Sequence, residues 1–218
     1  FLLARATVVT IDRNMTQTSI QQFRKAAACE VRTDDLTRQL YATDASLYEI
    51  VPDAVAFPKG AEEASRVVRA AGEAGLPVIP RGAGTGLSGG AIGRGVVVDF
   101  SRYNRSIDDL DIERRSVRVG AGVVLDQLNS YLKPHGLCFG PDVATSARAT
   151  LGGMIANNSS GAHVPVYGTT AAHVSALELV LSDGRVETIG PGYETLQDLH
   201  RAVYEAVAQR ADAVRERF

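Results

Sequence analysis

The chain has 218 residues, enough to bury a sizeable core as one large domain or two small ones. Its 23 Lys and Arg against 25 Asp and Glu leave a net charge of −2, with both signs mixed along the chain, which argues against a nucleic-acid or anionic-membrane footprint. Cys29 and Cys138 stand alone with no C-x-x-C, so no zinc ribbon or iron–sulfur site is encoded, and unpaired thiols fit a reducing, cytoplasmic compartment.

No apolar run reaches membrane-spanning length. The start, FLLARATVVTI, is interrupted by Arg5 and lacks the pattern of a secretory signal. The chain begins at Phe1 rather than Met and ends in ADAVRERF, a helical pattern with no stop signal, so a piece of a longer protein is expected. Residues 17–40 read as mostly helical with a break near Thr33-Asp34. YATDASLYEIVP then reads as a structured loop leading into a main domain near Pro52.

From Pro52 to Pro80 the pattern is strand, helix, strand. Ala54–Phe57 is a short apolar run closed by Pro58. Over 61–74 the alanines with Val67 and Val68 share one face, with Gly75 as the stop signal. Leu76–Pro80 reads as a short buried strand. Val96–Phe100 is a further strand, and 107–122 is strand, turn, strand ending in Gly120-Ala121-Gly122. Leu125, Leu128 and Leu132 mark an amphipathic helix stopped by Pro134 and Gly136. Residues 175–189 form a hairpin turning at Asp183-Gly184. A last amphipathic helix over 193–217 runs through Leu196, Leu199, Val203, Val207 and Val214.

Between the second and third strands lies RGAGTGLSGG (Arg81–Gly90). Gly84–Gly89 fits the dinucleotide fingerprint G-x-G-x-x-G, but that motif needs a helix opening directly from it to hold the pyrophosphate. Here the chain stays glycine-rich to Gly95 and enters GVVVDFS, a strand, so the Rossmann reading fails. A P-loop fails too, because no G-x-x-x-x-G-K-[ST] occurs. Glycines at this density allow positive φ and close backbone approach, and consecutive N–H groups in such a turn form an anion-binding nest without a helix. A loop cradling a phosphate-bearing cofactor is therefore preferred to a flexible surface loop.

A second unusual stretch, GPDVATSARATLGGMIANNSSGAHVPVYG, begins at Gly140. Small hydroxyl and amide residues dominate it, yet it includes Leu151, Met154 and Ile155. It reads as backbone packed against a flat ligand. For Asn157 and Asn158 the simpler reading is loop capping, and for Asp142 an Asx-turn after Pro141.

The ordered landmarks PDAVAFP, PVIPRGAGTG, VVVDFS, VRVGAG, GPD, ATLGG, NNSSG, YGTT and LELVLSDGRV span about Pro52 to Ile189. Together they resemble the FAD-binding domain of the vanillyl-alcohol oxidase / p-cresol methylhydroxylase superfamily. Within it the chain is most similar to the D-2-hydroxyacid dehydrogenase branch: D-lactate and D-2-hydroxyglutarate dehydrogenases and the FAD subunit of glycolate oxidase. YATDASLYEIVPDAV and GGMIANNSSGAHVPVYG resemble the large bacterial members, which fuse this domain to an iron–sulfur region.

The resemblance implies an α+β fold, a PCMH-type domain over 52–190 of two subdomains with FAD between them. The first (about 52–122) would hold a small parallel-type sheet with helices, and the second (about 123–190) a larger, mainly antiparallel sheet. Residues 1–51 would form a helical extension, and 191–218 a helix leading to the remainder. It implies that Arg81, Gly82, Ala83, Gly84, Thr85 and Gly86 wrap the FAD pyrophosphate, mainly through backbone N–H groups. Pro141, Asp142, Ser146, Ala149, Thr150, Gly152 and Gly153 would line the isoalloxazine and ribityl chain. Asn157, Ser160 and Gly161 would follow toward the ribityl and pyrophosphate.

Family members with covalent FAD attach it through a His or Cys, and the first loop here has Ala83 and Thr85 instead, so FAD is expected to be held non-covalently. Cys138 is expected to be a buried, packed thiol, and His163 and His173 to be surface or structural residues. The implied reaction is oxidation of a D-2-hydroxy acid to a 2-oxo acid: a base takes the hydroxyl proton while hydride passes from Cα to flavin N5. The base, the carboxylate-binding Arg and any metal-ligating histidines come in the family from a later cap domain, so no catalytic residue is named and no metal is expected here. An iron–sulfur cluster would belong to the missing remainder. The electron acceptor is left open, as is peripheral membrane association. The alternatives are a flavin electron-transfer module with no organic substrate of its own, or a truncated piece without activity.

Overall fold

A computed structural model of the protein describes residues 17–192 and 196–216. The apolar start, Phe1–Ile11, and residues 193–195 and 217 of the expected last helix lie outside the described residues. The chain opens with α1 (Gln17–Ala27), β1 (Glu30–Arg32) and α2 (Asp35–Leu40). The expected break near Thr33-Asp34 is present, and a strand too short for its alternation to be read comes just before it. Asp34 caps α2, accepting from the Thr37 N–H at 2.9 Å.

Three parallel strands follow, β2 (Ala54–Phe57), β3 (Val78–Arg81) and β4 (Val96–Asp99), with α3 (Ala61–Glu73) between β2 and β3. The sheet order is β1-β2-β4-β3, with β1 antiparallel to β2. β2 and β4 are buried along their whole length because both sheet faces are covered. One face packs Ala54, Ala56, Val96 and Val98 against Phe23 and Ala27 of α1 and Val67, Ala70 and Ala71 of α3. Burying a side chain such as Phe23 contributes roughly 1.5–3 kcal/mol. The other face packs Val55, Phe57 and Val97 against Tyr41 and Ile79. β3 is half-buried rather than buried, since it is the sheet edge.

The second half departs from the expected antiparallel sheet. β5 (Ile107–Asp111) and β6 (Ser116–Val119) form a separate two-stranded ladder, as do β7 (Leu177–Val180) and β8 (Val186–Ile189). Between them the chain is mostly turns and short helices: α4 (Leu125–Leu132), α5 (Leu151–Ala156) and α6 (Val164–Tyr167). Glycines, Ser and Thr supply caps and turns there instead of strand-forming side chains. Leu128, Leu132, Val123 and Leu151 share one core with Ile107, Val117 and Val119. β5 and β6 therefore pack with the residues after 122, not with the parallel sheet.

The β7–β8 hairpin docks on α3, where Ser65 Oγ and Arg69 Nη2 donate to the Gly184 carbonyl, the latter at 3.1 Å. The last helical stretch divides into α7 (Gln197–Ala208) and α8 (Ala211–Arg215), and its apolar stripe at Leu199, Val203 and Val207 is exposed. Among the described residues no helix is long and apolar enough to cross a membrane.

Candidate functional site

β2, β3 and β4 are parallel, so their carboxyl ends lie on one edge of the sheet. The glycine-rich loop, residues 82–95, leaves β3 at that edge and returns into β4 with no intervening helix. Ligands of parallel sheets gather at this edge, where loops meet beyond the strand ends. Among the described residues, no backbone N–H from Gly82 to Gly90 donates to a protein acceptor. The Thr85 and Ser88 hydroxyls also have no described partner.

The loop is nevertheless held in place. Gly84 has φ +67° and its carbonyl accepts from the Ala45 N–H at 2.9 Å. The Arg81 guanidinium donates to the carbonyls of Thr43 (2.8 Å) and Ala91 (3.1 Å) and lies 5.1 Å from the Tyr41 ring centre. A Cβ at Gly84 would sit 2.8 Å from Arg81 Nη2, whereas Gly86 and Gly90 face open space. The loop therefore combines fixed backbone with a run of free donors, which fits a polyanion such as a pyrophosphate.

The second segment supplies an opposing wall. Thr150 is 2% exposed and caps α5, accepting from the Gly153 N–H at 3.4 Å. Its Oγ1 lies 2.1 Å from where a Gly82 Cβ would be, so the two glycine-rich segments meet at this pair. Gly152 donates to the Ala121 carbonyl at 2.8 Å, and its missing Cβ makes room for Ala121. The Gly120–Gly122 turn in turn packs on Phe100 and Asn104, and so joins the sheet to this wall. Pro141 and Ala149 are buried, and the Ala149 carbonyl is taken by the Leu125 N–H.

Other expected residues stand apart. The Ser146 carbonyl accepts from Asp126 N–H at 3.2 Å, which ties it to α4. Asn157 ends α5 with its amide on Ser159, and Ser160 is exposed. No hydrogen bond among the described residues joins these three to the glycine loop. Asn158 does cap a loop: at φ +45° its Oδ1 accepts from the Ala171 N–H at 2.9 Å.

Asp142 makes no simple Asx-turn. Its carboxylate is paired with His163 Nδ1 and accepts the His163 N–H at 3.3 Å, and Gly161 packs directly on it. The His163 hydrogen bond holds the Asp142 carboxyl below the usual carboxylate range. His163 also stands edge-on to Tyr167, while His173 bonds the Tyr167 carbonyl at 2.6 Å. His163 thus ties the Asp142 side chain to the 161–173 turn, while His173 closes that turn and packs beside Phe139. Cys138 corrects an expectation: it is exposed, because it follows the left-handed Gly136 on a turn rather than the core-facing stripe of α4.

Three residues outside both glycine clusters also build the site. Tyr41 donates its hydroxyl to Asp99, which is 3% exposed, and burial together with that bond pushes the phenol up. Asp44 accepts from Ser46 and Ala91 N–H groups. YATDASLYEIVP reads as a structured loop, but what it packs on is not legible in the sequence. A shallow depression of about 700 Å³ lined by Arg38, Glu49, Ile50, Val51, Asp53 and Arg94 contains none of the expected cofactor residues and carries both charge signs.

With this geometry in view, comparison with known proteins is specific. A family model described as FAD binding domain matches residues 52–190. The chain belongs to this family. It is 46% identical over 160 residues to a D-2-hydroxyglutarate dehydrogenase of Pantoea ananatis, a match covering 72% of this chain and 16% of the relative. It is 40% identical over 136 residues to a D-lactate dehydrogenase of Archaeoglobus fulgidus, covering 62% of this chain and 30% of the relative. The chain thus spans less than a third of either relative. Among solved structures, 6-hydroxy-D-nicotine oxidase from Arthrobacter nicotinovorans superposes with a TM-score of 0.66 at 25% identity, covering 75% of this chain and 36% of that one. The family and the mixed α+β fold are those the motifs resemble.

Proposed function

We propose that this FAD-binding domain holds FAD non-covalently between the 82–90 loop and the 140–161 wall, within an enzyme that oxidises a D-2-hydroxy acid to a 2-oxo acid. The observation that carries the reading is the unpaired row of N–H groups on a pinned loop, packed at Gly82 against Thr150. In this reading Gly82, Ala83, Gly84, Thr85 and Gly86 donate to the pyrophosphate. Gly152 and Gly153 let backbone approach the flat ring. Asp142, Ser146, Asn157 and Gly161 shape the ribityl side. Bound FAD would supply the two-electron redox chemistry, and the chain's residues would orient it and exclude water.

The names of the relatives support the substrate class, and two unpaired thiols suit the cytoplasm. The base and the substrate-binding Arg would come from outside these 218 residues. The test is direct. Apo protein titrated with FAD should bind it, and acid or heat should release it intact. Flavin that stays attached after denaturation would overturn the non-covalent reading, with exposed Cys138 the first position to examine. Gly84→Val, which crowds Arg81 at a positive φ, should abolish FAD binding, and unchanged affinity would refute the pyrophosphate assignment.

A further inference from the structure

The segment Tyr41–Ile50 lies before the stretch matched by the family, 52–190. It nevertheless touches the glycine loop at Arg81, Gly84, Gly89 and Ala91. The Ala45 N–H bonds the Gly84 carbonyl at 2.9 Å. The Thr43 carbonyl takes one arm of Arg81 at 2.8 Å, and the other arm reaches the Ala91 carbonyl at 3.1 Å. Asp44 Oδ2 accepts the Ala91 N–H at 3.4 Å. Tyr48 lies over Gly89, 3.0 Å from where its Cβ would be. The segment is closed on itself by the Ile50 N–H to the Ala42 carbonyl (2.8 Å) and a Thr43–Glu49 bridge, and Tyr41 anchors it to Asp99 on β4.

These links share one property. Each goes to a carbonyl, a side-chain face or the Ala91 flank, and none uses an N–H between Gly82 and Gly90. We propose that Tyr41–Ile50 is a strap that presets the glycine loop for a pyrophosphate, and that the Arg81 side chain serves as its strut rather than as a phosphate ligand. This rests on the FAD reading above. A flexible glycine loop loses much backbone entropy on wrapping an anion. A loop already fixed by its carbonyl side, with its donors left free, avoids that cost at binding. The strap thus acts on affinity for the diphosphate part of the ligand and not on the isoalloxazine.

The test uses the whole chain with FAD, ADP and riboflavin as separate probes, read by flavin fluorescence and calorimetry. Arg81→Met removes both carbonyl bonds, and Asp44→Ala frees the Ala91 N–H. Each should weaken FAD and ADP about tenfold, the equivalent of one or two lost hydrogen bonds, and leave riboflavin binding unchanged. The double variant should bind ADP about as well as the worse single variant, because both substitutions release the same flank of the loop. Arg81→Lys, which keeps the charge on a single donor nitrogen, should fall between wild type and Arg81→Met, and it carries the test if Arg81→Met does not fold.

Equal losses for riboflavin and ADP would overturn the strap, as would wild-type ADP affinity in both single variants. Fully additive losses would show Arg81 acting on phosphate by itself. Failure of the unaltered chain to bind either FAD or ADP would instead overturn the site reading beneath the proposal.

Discussion

Replacing Gly82 with alanine would place a methyl carbon 2.1 Å from Thr150 Oγ1. No rotamer of Thr150 relieves this cheaply. The residue is 2% exposed and its hydroxyl caps α5 through Gly153, so rotation either puts its own methyl in the same place or, with the Cβ hydrogen there, gives up the cap. Overpacking of this kind costs about 1–3 kcal/mol. Displacing the cap adds about 1 kcal/mol, so Gly82→Ala should destabilise the chain by about 2–4 kcal/mol. Thr150→Ala alone should cost about 1–2 kcal/mol through the lost cap.

The double variant is decisive. With Thr150 truncated, the remaining Cβ lies 3.4 Å from the added methyl, which is ordinary contact. The double variant should then be little worse than Thr150→Ala alone, a coupling of about 1–3 kcal/mol by urea unfolding. Additivity within about 0.5 kcal/mol would mean that the two glycine-rich segments do not meet at this pair. Gly86→Ala is the control: nothing lies within 4 Å of its Cβ position, so stability should move by less than about 0.5 kcal/mol.

Two further outcomes follow from ionisable groups. Burial raises the Cys29 thiol to about 11, whereas Cys138 is exposed, so an alkylating reagent at neutral pH should label Cys138 well before Cys29 in the folded chain; equal rates would refute the placement. The lowered Asp142 carboxyl contributes stability that is present above the ordinary carboxylate range and lost as pH falls through its lowered folded value. His163→Phe keeps the ring beside Tyr167 but removes the Nδ1 partner. Its stability deficit should therefore be present at about pH 6 and vanish toward about pH 2, and a gap unchanged across that range would count against the pair.

Much of the framework was legible before folding. AVAF and VVVD read as strands and the Leu125-Leu128-Leu132 stripe as a core-facing one, because period and apolarity are local properties. The same holds for the glycine loop: a strand follows it, so a helix could not hold the phosphates there. Spacing of the quoted motifs also identified the family that the comparison found.

What only the tertiary structure decided is which groups spend their hydrogen-bonding capacity on the protein. Arg81 reads as part of the loop that wraps the pyrophosphate, and only the fold shows that its guanidinium is engaged by the carbonyls of Thr43 and Ala91. Asp142 reads as a flavin-side residue or a turn, and only the fold shows that its carboxylate is paired with His163. Tyr41 and Asp44 lie in a segment read only as a structured loop and hold the glycine loop from outside it. A sequence records donors and acceptors but not their partners, which are assigned when distant segments pack. Here that packing left the N–H groups of Gly82 to Gly90 without a partner among the described residues and set Gly82 against Thr150.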